Sequence, residues 1–249
     1  MTYNFTVCPH DTAQNLPGWF FMNSYLQRSS GMHIHFEPFD DFATQRQAVL
    51  DGGIQIVYAN PFDAALYARE LGFLPLVRRA ACCDEAYILA GADSPISALG
   101  DTSSNHYRLS SATDKTAIHA LGVGLLKQEG ASRDNFDIQL KGNYLSVIRA
   151  LTMGEADLGI VFNETYDGLS DLVKTQLKVL GATHQGDTFH LFCVSPELGD
   201  NAELLRSILA SMGDSEDGRK CLDDLGFTGF DRLDASAFAA LVKACETTW

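Results

Sequence analysis

The fold is indicated by the stretch QRQAVLDGGIQIVYANPFD, residues Gln45–Asp63. Its pattern is a helix, a Gly turn, an apolar strand, an Asn and the start of another helix. The stretch Ser146–Asp167, SVIRALTMGEADLGIVFNETYD, repeats that order, and Asn60 falls opposite Asn163 when a short gap is allowed. Open α/β sheets bind ligands at the carboxyl ends of their strands, where such a polar turn lies. We call this imperfect internal repeat of Gln45–Asp63 in Ser146–Asp167 the echo. It predicts two similar α/β lobes with a hinged ligand cleft between them, and ordinary βαβ patterning is the alternative.

Strands alternate with helical segments along most of the chain, which predicts parallel sheets with right-handed crossovers. Strand-like segments near Ala86–Ala90 and Phe189–Ser195 are expected to carry the chain from the first lobe to the second and back. These crossings predict a discontinuous first lobe of residues 1–87 and 187–249, and a second lobe of residues 88–186.

The charge of the chain argues against a nucleic-acid partner. The 249 residues carry a net charge of -14, from 32 acidic and 18 basic side chains. Binding to nucleic acid is not expected, because phosphate backbones need Lys and Arg to displace their counterions. A small anionic ligand stays open, since a few backbone N–H groups can hold one locally.

The cysteines show no CxxC pair, which favours buried free thiols over a disulfide framework or a metal site. No metal and no other cofactor is therefore expected. The six cysteines are Cys8, Cys82, Cys83, Cys193, Cys221 and Cys245.

The chain opens on a strand pattern, MTYNFTV, without the basic and apolar regions of a signal peptide. We expect a cytoplasmic protein, or a periplasmic one if a signal peptide has been removed. No apolar run reaches the length of a membrane span, so no membrane insertion is expected.

Several segments resemble, in their order along the chain, one family of binding proteins. They are LDGGIQIVYANP (Leu50–Pro61), YILAGADSPISALGD (Tyr87–Asp101), ATDKTAIHALGVGLLKQEG (Ala112–Gly130), the segment Lys141–Asp167 and the tail LDDLGFTGFDRLDASAFAALVKA. Together they resemble the phosphonate/phosphite substrate-binding proteins of ABC importers, which have the type II periplasmic-binding-protein fold. The resemblance implies a non-enzymatic solute-binding protein. Such a protein closes two lobes over a small polar ligand, expected to be a phosphonate-like or other oxyanion, and delivers it to an ABC permease.

The segment that grips the anion in that family differs here. A Ser-Thr-Ser-Gly-like turn at a helix start corresponds to Thr113-Asp114-Lys115-Thr116, and the family's His in Gly-Ser-His-Asp falls on Asn143. A carboxylate of Asp114 facing the cleft would repel an anion, whereas Lys115 would attract one. A preference for phosphonate therefore does not follow from the resemblance. We expect neutral or zwitterionic ligands to bind better than a simple phosphonate.

The candidate ligand-binding residues follow strands or begin helices, and an ordinary structural role is the alternative for each. Free N–H groups at a helix start favour an anion, but Thr113 or Asp114 would also serve there as a plain N-cap. Asn60 and Asn163 recur in both copies of the echo, although Asn is common in ordinary βα turns. The candidates are His10, Tyr58, Asn60, Tyr87, Thr113, Asp114, Lys115, Thr116, Asn143, Tyr144 and Asn163.

The segment Pro9–Pro17 is predicted to be a polar loop after the first strand. Its pair His10–Asp11 lies where this fold contacts ligands, and a solvent-exposed loop is the alternative. One such pair is a weak metal signal without further ligands. His190 is interpreted as a structural histidine.

No Gly-rich phosphate loop, Gly-x-Ser-x-Gly elbow or His-Glu-x-x-His helix occurs in the sequence, so no catalytic residue is predicted. A Ser/His/Asp or Cys/His set that assembles only in space would escape this search. A ligand sensor without transport and an enzyme on the same two-lobed fold are therefore the alternatives to a transport protein.

Overall fold

The computed structural model describes residues 2–246 and 249. The chain forms two compact α/β units, each with its own sheet. Unit 1 comprises the described part of Met1–Cys82 together with Phe189–Leu241, and unit 2 comprises Cys83–Thr188 together with the described part of Val242–Trp249. The two-lobed α/β fold class predicted from the sequence is confirmed, because no sheet of the described residues runs through both copies of the echo.

The elements alternate as the sequence predicts. In chain order they are β1 (Thr2–Val7), α1 (Pro9–Ser30), β2 (His33–Phe36), α2 (Phe42–Leu50), β3 (Ile56–Ala59), α3 (Pro61–Leu71), β4 (Leu74–Arg79), β5 (Ala86–Gly91), β6 (Tyr107–Ser111), α4 (Ala117–Gln128), β7 (Phe136–Leu140), α5 (Tyr144–Thr152), β8 (Leu158–Phe162), α6 (Asn163–Asp167), α7 (Asp171–Lys174), β9 (Leu177–Ala182), β10 (Leu191–Val194), α8 (Asn201–Ala210), α9 (Glu216–Leu225), β11 (Phe230–Arg232) and α10 (Ala235–Cys245).

Unit 1 is built on a six-stranded sheet with the strand order β11-β4-β10-β3-β1-β2. Strand β1 pairs in parallel with β2 and β3, whereas β10 runs antiparallel to β3 and β4. The carboxyl ends of β1 to β4 therefore share one edge with the amino end of β10. Cys8, Asn60 and His190 lie next to strand ends at this edge.

Aromatic rings fill the core of unit 1 beside this edge. Phe5 of β1 stacks on Phe192 of β10 with 5.8 Å between ring centroids, and Trp19 of α1 packs on Tyr58 of β3 at 4.8 Å. All four side chains are buried. Such ring pairs add about 0.5–1.5 kcal/mol each beyond the burial of their area. The Trp19–Tyr58 pair therefore helps to hold α1 against the sheet.

Unit 2 is built on a five-stranded sheet with the strand order β7-β6-β8-β5-β9. Strand β6 is parallel to β7 and β8, whereas β5 is antiparallel to β8 and β9. The carboxyl ends of β6 to β9 therefore share one edge with the amino end of β5. The turns that contain Thr113–Thr116, Asn143 and Asn163 all lie at this edge.

The two copies of the echo form equivalent elements, one set in each unit. The first copy contains most of α2, all of β3 and the start of α3, and the second contains most of α5, all of β8 and α6. Both strands are buried along their whole length, as expected for parallel strands covered on both faces.

The prediction of a loop at Pro9–Pro17 is wrong, because helix α1 already begins at Pro9. A proline is favourable at the first helical position, where its missing N–H needs no partner. The helix bends at Asn15, whose backbone is not helical, and Asn15 Oδ1 accepts a hydrogen bond from the backbone N–H of Gly18 at 3.0 Å. Asn15 therefore caps a second helical stretch, in which Pro17 again occupies an early position.

Two short helices, α6 and α7, follow β8. Gly168 ends α6, where its N–H donates to the carbonyl of Glu164 at 3.0 Å. Within the described residues, no helix has both the length and the apolar character needed to cross a membrane.

Gly218 allows close contact between α9 and the turn that precedes it. A Cβ atom at this position would overlap the carbonyl oxygen of Met212. We therefore expect Gly218→Ala to lower the free energy of unfolding by about 1–3 kcal/mol, the range for overpacking. This loss should exceed the gain in helix propensity of about 1 kcal/mol. Urea denaturation measures the difference.

Gly213→Ala is the matched control, because no atom lies within 4 Å of its added Cβ. This variant should stay within about 0.5 kcal/mol of the native protein. Equal losses in the two variants would contradict the overlap at Gly218.

Candidate functional site

Asn60 joins β3 to α3 at the edge of unit 1. Its Oδ1 accepts from the backbone N–H of Asp63 at 3.0 Å, and its Nδ2 donates to Asp63 Oδ2 at 2.7 Å. Arg46 Nε donates to Asp63 Oδ1 at 2.5 Å. Burial raises the pKa of Asp63, and the charge of Arg46 opposes that rise. Asn60 thus orders the start of its own helix and a buried ion pair.

Tyr58 is fully buried. Its ring stacks against the ring of His190 with 5.7 Å between centroids and contacts Phe192 at 5.1 Å. His10 is half-buried in the first turn of α1, with its Nε2 at 2.8 Å from Gln14 Nε2. Tyr58 therefore belongs to the core beside the edge, whereas His10 lies at the edge itself.

Three further polar side chains meet at this edge: Cys8, Asp11 and His190. His190 Nε2 lies 3.4 Å from Asp11 Oδ2, and Cys8 is hydrogen-bonded to His190. Burial raises the pKa of the Cys8 thiol, and the hydrogen bond from His190 opposes that rise. The sequence pattern does not predict this group, although it places Asp11 next to the candidate His10.

The turn Thr113–Thr116 follows β6 at the edge of unit 2. Thr116 is the N-cap of α4, where its Oγ1 accepts from the backbone N–H of His119 at 3.2 Å. The hypothesis that Thr113 or Asp114 caps this helix is therefore wrong. Thr113 Oγ1 accepts instead from the N–H of Lys115 at 3.2 Å, and the side chains of Asp114 and Lys115 are exposed.

A second helix start lies beside this turn. Asn143 is the N-cap of α5, where its Oδ1 accepts from the backbone N–H of Ser146 at 2.8 Å. The N–H of Gly142 donates to the carbonyl of Ala112 at 2.8 Å. This bond joins the loop before α5 to the loop before α4. Asn143 is exposed, whereas Tyr144 is buried with its ring 5.9 Å from that of Phe162.

Asn163 differs from its counterpart in unit 1. It is the first residue of α6 rather than the cap. Its Oδ1 accepts from the N–H of Glu85 at 3.0 Å, and its Nδ2 donates to the carbonyl of Cys83 at 3.3 Å. Through these two hydrogen bonds, Asn163 stabilises the segment that leads into β5.

Tyr87 is half-buried in β5, with its ring 5.3 Å from that of Tyr166. Burial raises the pKa of its hydroxyl, and the nearby charge of Asp167 adds to that rise. Glu85, two residues earlier, is buried. Its carboxylate accepts from the N–H of Gly186 at 2.8 Å and from the hydroxyl of Thr183. Glu85 is not among the candidates predicted from the sequence.

The unit 2 edge thus brings together eight of the candidates, the unit 1 edge holds two, and Tyr58 lies in the core beside the unit 1 edge. Within unit 2, two helix starts with exposed polar side chains lie at the same sheet edge, and backbone N–H groups there suit an anion or a polar ligand. The eight are Tyr87, Thr113, Asp114, Lys115, Thr116, Asn143, Tyr144 and Asn163, and the two at the unit 1 edge are His10 and Asn60.

The sequence matches one family model, described as ABC transporter, phosphonate, periplasmic substrate-binding protein, over residues 5–238. No curated protein matches the chain.

Solved structures share its fold. XAC2383 from Xanthomonas citri bound to ATP is 17% identical, with a TM-score of 0.79 over 98% of this chain and 97% of that one. PhnD1 from Prochlorococcus marinus in complex with methylphosphonate is 10% identical, with a TM-score of 0.80 over 98% and 96%. PA3383 from Pseudomonas aeruginosa, a binding protein component of an ABC phosphonate transporter, is 14% identical, with a TM-score of 0.77 over 98% and 85%.

Identities this low show the fold alone, and the first two of these proteins are bound to different ligands. The family model, in contrast, spans most of the sequence. The chain therefore belongs to the family of periplasmic substrate-binding proteins of phosphonate ABC transporters, and it is a solute-binding protein for ABC transport with the type II periplasmic-binding-protein fold.

Proposed function

We propose that this protein binds a small polar ligand with an anionic group, and that the helix starts of unit 2 hold that group. The observation that carries the proposal is the pair of adjacent N-caps, Thr116 of α4 and Asn143 of α5, at one sheet edge. Each helix start offers backbone N–H groups and the positive end of a helix dipole.

Family membership supports a transport role as a further part of the proposal. The protein binds its ligand without chemical change, works in the periplasm and hands the ligand to an ABC permease. We also propose the lobe bounds that the sequence predicts, residues 1–87 with 187–249 and residues 88–186. His10 and Asn60, at the edge of unit 1, are further proposed ligand contacts.

Native mass spectrometry of the purified protein should reveal a retained small molecule with an anionic group. Asn143→Asp then tests the location of the site. Asp caps a helix as well as Asn does, so the fold should be kept. The added negative charge should weaken binding of the anion at least about 5-fold, since like charges a few ångströms apart repel by about 1–4 kcal/mol. Isothermal titration calorimetry measures this change.

Ser215→Asp is the control, because Ser215 is the N-cap of α9 in unit 1 and the net charge changes equally. It should leave the affinity unchanged. Equal affinities for Asn143→Asp and the native protein would place the anion elsewhere, and a retained molecule without an anionic group would refute the proposed ligand class.

A further inference from the structure

The unit 1 edge buries a group of metal-ligating side chains that the proposed ligand site does not use. Cys8, Asp11 and His190 offer a thiol sulfur, a carboxylate oxygen and an imidazole nitrogen, all within 4.8 Å of one another. Among residues 2–246 and 249 this is the one such group, and all three members are shielded from solvent. Cys8 and Asp11 come from the start of α1, and His190 from the residue before β10.

The spacing of these atoms fits ligands around a tetrahedral cation. His190 Nε2 and Asp11 Oδ2 are 3.4 Å apart, whereas a good N–H···O hydrogen bond is about 2.9–3.0 Å long. Two zinc ligands with bonds of about 2.05 Å lie about 3.3 Å apart, along one edge of a tetrahedron. The imidazole and the carboxylate are therefore already at the separation of two zinc ligands.

The carboxylate of Asp11 provides an independent observation. Its Oδ2 is buried, and no donor in the described residues forms a hydrogen bond with it. The side chain is 9% exposed and that of His190 is 11% exposed. A buried carboxylate is unfavourable unless donors or a cation compensate for its lost hydration. A cation beside Oδ2 would supply that compensation.

Cys8 supplies the third ligand from the N-cap position of α1. Burial raises the pKa of its thiol, whereas hydrogen bonds from His190 and from the backbone of His10 lower it. When the sulfur binds a metal, the thiol proton passes to solvent. A thiolate, a carboxylate and a neutral imidazole then carry two negative charges, which a divalent cation neutralises.

We propose that Cys8, Asp11 and His190 bind a divalent cation of the Zn²⁺ type, with the fourth position open to a small exchangeable molecule. A thiolate and an imidazole favour Zn²⁺ and its neighbours over Mg²⁺ and Ca²⁺. Three protein ligands with one open position is also the arrangement of zinc sites that exchange a ligand. This inference does not depend on the solute proposed above.

The test uses Co²⁺ and Zn²⁺ with the full chain, stripped of metal under reducing conditions. Titration with Co²⁺ should give one equivalent bound, the visible bands of tetrahedral Co²⁺ and a thiolate-to-cobalt charge-transfer band. Zn²⁺ should abolish these bands. Binding should weaken as the pH falls, because protons compete for the sulfur and the imidazole.

Variants assign the ligands. Cys8→Ser should remove the charge-transfer band, and His190→Asn and Asp11→Asn should each weaken Zn²⁺ binding at least about 100-fold. Loss of a second-shell partner alone weakens metal sites 10–100-fold. Cys221→Ser is the matched control, since Cys221 is another buried free thiol of unit 1, and it should bind like the native protein.

Circular dichroism of the metal-free variants checks that each is folded. If Cys8→Ser does not fold, Asp11→Asn is the decisive variant. That change replaces only one carboxylate oxygen by an NH2 group of nearly the same size, so it should disturb the fold least. The proposal is overturned if the native protein gives no charge-transfer band, or if Zn²⁺ binds equally to the native protein and to folded Asp11→Asn. It is also overturned if Cys221→Ser loses as much affinity as the other variants.

Discussion

Replacing Arg46 by Met is expected to lower the free energy of unfolding by about 3–5 kcal/mol, the range for removing one partner of a buried ion pair. Arg46 Nε donates to Asp63 Oδ1 at 2.5 Å, and the two side chains are 14% and 1% exposed. Asn60 donates to the other oxygen, but an amide does not neutralise the charge. The variant therefore leaves a carboxylate buried without its cation. Urea denaturation at neutral pH measures the loss.

The loss should depend on pH in a defined direction. Burial raises the pKa of Asp63 even beside Arg46, and removing the cation raises that pKa further. A carboxyl whose folded-state pKa lies above its unfolded value stabilises the fold only while it is protonated, and that stabilisation is lost as the pH rises through the folded-state pKa. Arg46→Met should therefore be closer in stability to the native protein at pH 5 than at pH 8.

Arg69→Met is the matched control, since Arg69 forms an exposed ion pair with Glu70. Its free energy of unfolding should stay within about 0.5 kcal/mol of the native value. The double variant Arg46→Met, Asp63→Asn should recover part of the loss, because the uncompensated charge is gone. A loss below about 1 kcal/mol for Arg46→Met would mean that water or another group compensates Asp63.

The strand–helix order could be predicted because it depends on local pattern. In both copies of the echo a Gly turn ends a helix, and the buried strand that follows reads as an unbroken apolar run. The start of α1 could not be predicted in the same way. Pro9, Pro17 and Gly18 resemble loop residues in sequence. Pro9 fits a helix because it is the first helical residue, and Pro17 and Gly18 fit one because Asn15 caps a second helical stretch.

The candidate site was predictable by position but not by role. Asn60 and Asn163 follow equivalent strands, yet Asn60 caps a helix and Asn163 holds the segment before β5. The equivalence of two turns does not specify which backbone groups are near each side chain. Whether either asparagine contacts the ligand stays a prediction.

The group of Cys8, Asp11 and His190 is a consequence of strand order. Cys8 follows β1 and His190 precedes β10, and both strands pair with β3. Their side chains meet only because an antiparallel strand from late in the chain is inserted next to β3. No short sequence motif indicates that β10 lies next to β3.

Simple phosphonates are expected to bind this protein more weakly than zwitterionic ligands do, because Asp114 lies in the turn before α4. Its carboxylate is exposed and does not cap the helix. Its charge nevertheless acts on the start of the helix. Burial lowers the pKa of His119 there, and the negative charge of Asp114 opposes that lowering. An anion at the same turn would be repelled. Thermal-shift measurements with methylphosphonate, phosphite, phosphate, 2-aminoethylphosphonate and neutral polar metabolites rank the ligands.

Asp114→Asn isolates this charge, because the helix keeps its cap at Thr116 and little stability should be lost. Two like charges about 4 Å apart repel by about 1 kcal/mol in water and about 4 kcal/mol in a partly dry site. Removing the charge of Asp114 should therefore let methylphosphonate bind at least about 5-fold more tightly. Asp171→Asn, at the start of the short helix α7, changes the net charge equally and should have no effect. If the native protein already prefers methylphosphonate and Asp114→Asn does not change its affinity, the carboxylate faces away from the ligand. The turn would then serve a phosphonate as the family's own turn does.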